Sequence, residues 1–261
     1  MRRVGEAAQQ VAVPLAARAV IGPGTGLGVA GLVPCPTDAA EPGEPPRGSG
    51  GPPQAVQAVQ AVQAGQAGQA GHDEPAEPSR APAGATRWLA IAGEGGHVSL
   101  AADDDFESTL LAAVRRQHAH VSAERLLSGI GLPDLHQAVA QVRGAAAPAL
   151  RTEAIVAAGL AAPGESGADA LCRETLEHFC ALLGGFAGNV ALTLGARGGV
   201  YIGGGIVPRL GDLFLRSRFR TRFEAKGRFT DYLRAIPTWV IVDTQVALSG
   251  AAMALQQRRA G

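Results

Sequence analysis

The sequence is poor in several residue types that particular chemistries need. Lysine and asparagine occur once each among the 261 residues, as Lys226 and Asn189, and aromatic residues make up only 4%. Because the glycine-rich stretch 22–28 holds no lysine, it cannot be a P-loop, whose lysine reaches the β- and γ-phosphates. Schiff-base chemistry elsewhere is not expected either. Together with 36 glycines and 17 prolines, the low aromatic content fits a loop-rich α/β protein.

The three cysteines are too few and too widely spaced to define a metal site or a disulfide framework. Cys172 and Cys180 lie eight residues apart on a helical pattern, which is not a zinc-ligand spacing, and Cys35 is remote from both. We expect reduced, buried thiols of the kind found in cytosolic proteins.

An excess of charge of one sign is also missing. The 23 basic and 23 acidic residues cancel, so nothing in the composition favours nucleic acid or an anionic membrane as a partner. Near the start, Glu6, Gln9 and Gln10 interrupt any apolar run that could serve as a signal peptide or a membrane span. We therefore expect a cytoplasmic protein.

Alternating and apolar runs predict short strands around a glycine-rich turn. The segments 18–22 and 27–33 have the pattern of two strands joined by P-G-T-G, and further strands are predicted at 87–92, 199–206 and 239–242. A turn built from glycines exposes backbone N–H groups that can cradle phosphate oxygens, although most such turns only reverse the chain.

Apolar residues recur at helical spacing through the second half of the chain. The acidic run 103–105 precedes such a pattern at Leu110, Leu111 and Val114, and we interpret it as an N-cap that also complements the helix dipole. The basic and aromatic run 214–229 is interpreted as a solvated helix pair. Further helices are predicted over residues 122–128, 133–145, 152–161, 167–194 and 246–257.

The composition changes abruptly after the second predicted strand. Residues 35–86 combine Pro- and Gly-rich flanks with the triplet repeat Q-A-V-Q-A-V-Q-A-V. Such a segment cannot bury enough apolar surface to offset its chain entropy, so we predict a disordered insertion in a hairpin loop. A long loop is tolerated because closure entropy grows only logarithmically with length.

The candidate site is the stretch 93–129, which begins G-E-G-G-H-V and ends H-V-S-A-E-R-L-L-S-G. Three polar side chains, Glu94, His97 and Glu124, stand there among glycines and apolar residues. Carboxylates accept hydrogen bonds and an imidazole both donates and accepts, a combination that suits a neutral polyol with several hydroxyls. A tight turn with a satisfied histidine explains the same residues equally well without any ligand.

Five strings of the sequence occur in the order and spacing of a known family. They are G-P-G-T-G-L-G-V-A, G-E-G-G-H-V, H-V-S-A-E-R-L-L-S-G, G-G-G-I-V-P-R and F-E-A-K-G-R-F, within residues 18–36 and 87–259. The chain thereby resembles the bacterial glucokinases, ATP-dependent members of the actin-like sugar-kinase superfamily. The resemblance implies an α/β fold, the large C-terminal lobe of a ribonuclease H-like kinase, with a mixed sheet flanked by helices.

The resemblance also implies an activity, transfer of the γ-phosphoryl group of ATP to the 6-hydroxyl of D-glucose. Glu94, His97 and Glu124 would bind sugar hydroxyls. The zinc-binding cysteine cluster of some related sugar kinases is absent, so His97 is expected to meet the substrate and not a metal. A homodimer is implied as well, with no nucleic-acid or membrane partner.

Two glycine-rich turns would hold the nucleotide, and Mg²⁺ would arrive with the ATP. In the first turn the resemblance points to Gly24, Thr25 and Gly26, with the Thr25 hydroxyl as the side-chain contact. In the second it points to Gly204 and Gly205, where small residues let a purine lie against the backbone.

Two motifs of the family do not occur in this sequence. Family members carry an N-terminal domain that opens with Asp-x-Gly-Gly-Thr and holds an Asn-Asp pair, whose aspartate deprotonates the 6-hydroxyl. Here Asn189 precedes Val190, and no aspartate precedes Gly-Gly-Thr. We therefore expect no catalytic base within these residues, and loss of a positioned base lowers a rate by about 10²- to 10⁴-fold. The alternatives are a sugar- or nucleotide-binding remnant and one half of a split kinase.

The expected organisation follows from these assignments. Residues 1–17 would be the remnant of an interdomain approach, 18–34 and 87–245 would form the large kinase lobe, and 35–86 would be the insertion. Residues 246–261 would form a helix that packs on the absent N-terminal lobe.

Overall fold

A computed structural model describes residues 1–6, 9–35, 87–243 and 250, and these residues build one mixed sheet packed against helices. The predicted insertion at 35–86, apart from Cys35, and the predicted helix at 246–257, apart from Gly250, lie outside the described residues. Within them the sheet has six strands in the order β1-β6-β5-β2-β3-β4. The strands are β1 (Arg2–Val4), β2 (Arg18–Pro23), β3 (Leu27–Cys35), β4 (Arg87–Gly93), β5 (Val200–Ile202) and β6 (Thr238–Val240).

The centre of the sheet is β2, which runs parallel to β5 and antiparallel to β3. Its residues Ala19, Val20 and Ile21 are at most 1% exposed, as expected for a strand covered on both faces, which needs a continuous apolar run and no alternation. The predicted strands at 18–22, 27–33 and 87–92 are confirmed, and so is the α/β class.

The edge strand β1 was not predicted. Arg2 and Arg3 leave no apolar alternation in a strand of three residues, so nothing in the sequence marks it. Its pairing with β6 is antiparallel and places Arg3 opposite Trp239. The guanidinium carbon of Arg3 lies 4.3 Å from the centre of the Trp239 ring, a cation–π contact that covers the edge.

The helices predicted within the described residues form, with ends within a few residues of those expected. Asp104 caps the first of them, because its side chain accepts a hydrogen bond from the Glu107 N–H at 2.8 Å, which confirms the N-cap interpretation. The helices are α1 (Asp105–Arg115), α2 (Ala123–Leu126), α3 (Leu132–Arg143), α4 (Thr152–Leu160), α5 (Ala170–Leu194), α6 (Val207–Leu210), α7 (Asp212–Arg216), α8 (Phe219–Glu224) and α9 (Thr230–Ala235). No helix in the described part of the chain is long and apolar enough to cross a bilayer.

The run 214–229 forms a pair of helices as predicted, but it is not solvated throughout, because one face of the pair is buried. Phe219 and Phe223 are fully buried because α8 packs directly on α5, and Phe214 of α7, 1% exposed, packs against Phe219 with ring centroids 4.7 Å apart. The close approach depends on glycines of α5: a Cβ at Gly184 would lie 2.1 Å from the Phe219 carbonyl oxygen, and one at Gly188 would lie 2.6 Å from that of Phe223. Charge and aromatic content alone do not show that a glycine face elsewhere receives the phenylalanines.

We expect Gly184→Ala to destabilise the protein, against the usual trend. Alanine in a helix interior normally stabilises by about 0.5–1 kcal/mol relative to glycine. Here the added methyl group overlaps backbone atoms of α8, and overpacking of that kind costs about 1–3 kcal/mol. Urea denaturation measures the difference, with Gly205→Ala as a control because a Cβ there meets nothing within 4 Å. A Gly184→Ala protein more stable than the wild type would contradict the packing.

The two helical cysteines are buried and unpaired, as predicted. Cys172 and Cys180 are fully buried in α5, and neither forms a disulfide. Burial raises the pKa of each thiol to about 12, so both remain protonated and unreactive near neutral pH.

Candidate functional site

Three of the predicted residues, Thr25, His97 and Glu124, line one cleft of about 220 Å³. They lie far apart in sequence, and the sheet brings them together. Thr25 stands in the turn between β2 and β3, and His97 follows β4, which pairs antiparallel with β3, so the end of β4 lies beside the start of β3. Glu124 comes from α2, whose N-cap Ser122 accepts the Arg125 N–H at 3.2 Å.

His97 ends a single 3₁₀ turn, Gly95–His97, that packs against the first residues of β3. A Cβ at Gly96 would lie 2.1 Å from the Leu27 carbonyl oxygen, and one at Gly95 would lie 2.9 Å from Cβ of Val29. The two glycines of G-E-G-G-H-V are therefore required by the approach of the turn to β3. Because neither glycine has a side chain, the turn can lie directly against β3, and this contact fixes the position of His97.

Glu94 occupies the N-cap position of the same turn and is bridged through its backbone to Val29. It is exposed and does not line the cleft that holds Thr25, His97 and Glu124. Glu94 and His97 are both exposed and stand at the two ends of the same turn.

Glu124 is the most constrained of the three polar residues. Its Oε2 accepts the backbone N–H of Leu27 at 2.8 Å, and its Oε1 lies 3.8 Å from Nε2 of His97. About a third of its side chain is exposed, so the carboxylate faces the cleft while it is held from behind. Glu124 therefore connects the glycine-rich turn with the residues predicted to bind a polyol.

The turn between β2 and β3 has already used part of its hydrogen-bonding capacity. The Gly24 N–H donates to the Gly26 carbonyl at 2.8 Å, and the Leu27 N–H is taken by Glu124. A phosphate could thus receive the N–H groups of Thr25 and Gly26 and the Thr25 hydroxyl. The Gly24 N–H closes the turn, so it could bind a phosphate only if its hydrogen bond to the Gly26 carbonyl were broken.

The second glycine-rich turn, after β5, lies against the first one. Gly204 has φ +78° and a Cβ there would lie 2.2 Å from the Pro23 carbonyl oxygen, so only glycine fits. Ile206 donates its N–H to the same Pro23 carbonyl at 3.3 Å. Gly205 is exposed, and a Cβ added there would meet nothing within 4 Å. The adjacency of the two turns lets one ligand span both.

Sequence reasoning missed the positive charge of the cleft. Arg125 follows Glu124 on α2 and lines the same cleft. Its Nη1 lies 3.9 Å from Oδ2 of Asp134 on α3, and about 40% of its side chain is exposed. The string S-A-E-R contains the arginine, but only the packing shows that it borders the same cleft as Thr25.

A second groove, of about 230 Å³, lies between β3, β4 and α5. Its lining is largely apolar, with Val29, Ile91 and Val190 among the contributing residues. The polar groups that a polyol or a phosphate needs are concentrated in the first cleft, so that cleft is the candidate site.

Fold and site together define a class of protein: an α/β protein in which two adjoining glycine-rich turns lie beside a cleft lined by hydroxyl, imidazole, carboxylate and guanidinium groups. The family model for glucokinase matches residues 80–258, which is more than half of the chain. The chain belongs to the glucokinase family.

Named relatives agree with this assignment. The chain is 44% identical over 243 residues to the glucokinase of Aromatoleum aromaticum, covering 93% of this chain and 57% of the relative. It is 43% identical over 252 residues to that of Chromobacterium violaceum, covering 97% of this chain and 56% of the relative. The chain thus spans somewhat more than half the length of the curated relatives it matches.

Solved structures give the same fold. A glucokinase from an Antarctic psychrotroph superposes with a TM-score of 0.69 at 32% identity, over 97% of this chain and 64% of that one. A glucokinase from Balamuthia mandrillaris, crystallised with glucose, superposes with a TM-score of 0.64 over 98% of this chain and 58% of that one. At 15% identity the second likeness concerns the fold alone.

Proposed function

We propose that this chain is the sugar- and nucleotide-binding lobe of an ATP-dependent glucokinase, which transfers the γ-phosphoryl group of ATP to the 6-hydroxyl of D-glucose. The supporting observation is the cleft in which Thr25, from a glycine-rich turn, meets His97 and Glu124. A phosphate-accommodating turn and a hydroxyl-binding carboxylate within one cleft suit transfer between a nucleotide and a sugar, in a chain that belongs to the glucokinase family.

Glucose would lie over the 3₁₀ turn and α2. Glu94 and Glu124 would accept hydrogen bonds from sugar hydroxyls, and His97 would donate to or accept from a further one. These contacts bind the ground state and orient the 6-hydroxyl; they do not remove its proton. Glu124 is already engaged by the Leu27 N–H at 2.8 Å, which leaves it poorly suited to act as a base.

ATP would lie across the two glycine-rich turns with its Mg²⁺. Thr25 and Gly26 would face the phosphates, and Gly204 and Gly205 would leave room for the nucleoside against the backbone. Arg125, which borders the same cleft, adds a positive charge that would stabilise phosphoryl oxygens.

The proton of the 6-hydroxyl would pass to the aspartate of the Asn-Asp pair that the family resemblance implies, a motif that these 261 residues do not contain. A purely non-catalytic binding role is not favoured, since the matching relatives are named glucokinases. A homodimer belongs to the same proposal because the family resemblance implies it, and so does the cytoplasmic location expected from the sequence.

The proposal is tested by assaying the purified chain with glucose, ATP and Mg²⁺, alone and combined with a domain that carries Asp-x-Gly-Gly-Thr from a glucokinase relative. We expect calorimetry to detect glucose binding to the chain alone, and we expect rapid formation of glucose 6-phosphate when both parts are present. A chain that binds neither glucose nor ATP, and yields no product in either preparation, would refute the proposal.

Replacement of Glu94 by alanine is expected to weaken glucose binding by about 10- to 100-fold, the range that follows from losing a hydrogen bond to a charged group. Stability should change little, because the side chain is exposed. Calorimetric titration with glucose measures the loss of affinity. The matched control is Glu177→Ala, because Glu177 is also an exposed glutamate but lies on α5, away from the site. Equal glucose affinity in the two variants would remove Glu94 from the site.

A further inference from the structure

The segment 122–131, which carries one sugar-site residue, makes three hydrogen bonds to the turn 24–27. The Oε2 of Glu124 accepts the Leu27 N–H at 2.8 Å. The Gly129 N–H donates to the Gly24 carbonyl at 2.7 Å, and the Ile130 N–H donates to the Thr25 carbonyl at 3.3 Å. About a hundred residues of chain separate the two segments, so these bonds are tertiary contacts and not part of a local turn.

Of the three bonds, only that of Glu124 joins the turn to a side chain that also faces the cleft. The Oε1 of Glu124 is 3.8 Å from Nε2 of His97, too far for a direct hydrogen bond and open on the cleft side. A hydroxyl placed there would hold the carboxylate from the front while the Leu27 N–H holds it from behind.

We propose that Glu124 is the positioning residue of the turn 24–27, and that it couples occupancy of the sugar site to the affinity of the turn for nucleotide phosphates. This proposal rests on the proposed function for the identity of the two ligands. Its structural part, that the carboxylate of Glu124 orders the turn, stands without it.

The coupling has a simple physical origin. A turn that samples several conformations must be ordered when a phosphate binds, and this ordering reduces the observed affinity. A sugar that restrains the Glu124 carboxylate through Oε1 also restrains Leu27 through Oε2, so part of the ordering has already occurred when the nucleotide arrives. Because linkage is reciprocal, the nucleotide must strengthen sugar binding by the same factor.

Two variants of matched shape separate the hydrogen bond from the side-chain volume. Glu124→Gln keeps a carbonyl oxygen that can accept the Leu27 N–H, whereas Glu124→Met fills similar space with no oxygen. Amide hydrogen exchange of the ligand-free chain is then measured at Thr25, Gly26 and Leu27. We expect exchange at Leu27 to be about tenfold faster in Glu124→Met and near the wild-type rate in Glu124→Gln. Glu94→Ala should leave all three amides unchanged.

The nucleotide readout uses titration with adenylyl imidodiphosphate and Mg²⁺, with and without saturating glucose. In the wild type we expect glucose to raise the affinity for the analogue, and in Glu124→Met we expect this increase to disappear. Glu124→Gln should retain most of it. Loss of coupling with retention in the conservative variant is a result that a merely destabilising substitution does not produce.

The outcomes separate the two proposals. A wild-type chain that binds neither ligand refutes the proposed function, while the exchange rates still decide whether Glu124 orders the turn. A Leu27 amide that is unprotected in the wild type, or equally protected in Glu124→Met, overturns the positioning role, and the wild-type measurement does so even if Glu124→Met fails to fold. Nucleotide affinity that does not respond to glucose in a wild type that binds both overturns the coupling.

Discussion

Gly96→Ala is expected to abolish glucose and nucleotide binding together. The added Cβ would lie 2.1 Å from the carbonyl oxygen of Leu27, a backbone atom with no rotamer to change. Either the 3₁₀ turn that carries His97 or the start of β3 must move. Movement of Leu27 also breaks its 2.8 Å hydrogen bond to Glu124, which links both parts of the site. We expect the affinity for glucose to fall by more than about 100-fold, since several contacts are lost at once.

The matched control lies three residues earlier in the same string. A Cβ at Gly93 would meet nothing within 4 Å, so Gly93→Ala tests the chemical change without the collision. Calorimetric titration with glucose, together with a urea midpoint for each variant, distinguishes loss of the site from loss of the fold. If Gly96→Ala bound glucose with the affinity of the wild type, the close contact between the 3₁₀ turn and Leu27 of β3 would be contradicted.

Arg222→Met is expected to produce a large loss of stability. Arg222 on α8 contacts three carboxylates at the start of α1, those of Asp103, Asp104 and the fully buried Glu107. Removing one partner of a buried ion pair leaves uncompensated charge and typically costs about 3–5 kcal/mol. Lys226, whose Nζ lies 3.8 Å from Oδ2 of Asp103, can compensate only part of the negative charge left by the substitution.

The control for Arg222→Met is an ion pair of similar length at the surface. Arg2 contacts Asp212 at 2.8 Å with about half of each side chain exposed, so Arg2→Met should change the free energy of unfolding by no more than about 1 kcal/mol. Adding Glu107→Gln to Arg222→Met should recover part of the loss, because it removes the buried charge left without a partner. A double variant less stable than Arg222→Met would contradict the ion-pair explanation.

The loss in Arg222→Met should also depend on pH. Burial raises the pKa of the Glu107 carboxyl above its usual range, although the Asp103 N–H and Arg222 act in the opposite direction. A carboxyl with a raised pKa in the folded state opposes folding more as pH rises through that pKa, and removal of Arg222 raises the pKa further. The difference in stability between variant and wild type should therefore be larger at pH 7 than near pH 4, which urea titrations at the two pH values can measure.

Much of the architecture could be predicted because the local signals agree with the tertiary structure. The strands on either side of the P-G-T-G turn have continuous apolar runs, and α5 has its apolar residues at helical spacing. The acidic run before α1 predicted an N-cap, and Asp104 occupies it. In each case the residues that determine the element lie within the element itself.

The two features that were not predicted correctly depend on residues outside the elements themselves. The run 214–229 is basic and aromatic, and the burial of Phe219 and Phe223 within it depends on glycines of α5 some thirty residues earlier in the chain. Strand β1 has two arginines in three residues and exists because β6, at the other end of the described chain, offers it a partner. Neither partner can be recognised from the local pattern.

The same distinction between local and tertiary information applies to the site. The sequence by itself determined which chemical groups are available: a carboxylate–imidazole set at Glu94, His97 and Glu124, and glycines where the backbone must approach closely. Only the tertiary structure decided their arrangement, with Thr25, His97, Glu124 and Arg125 lining one cleft and Glu94 outside its lining. The bond from Glu124 to Leu27 crosses about a hundred residues of chain, and no local periodicity encodes a contact of that span. Residue types are a property of the chain, whereas distances between remote residues arise only when the sheet pairs and the helices pack against it.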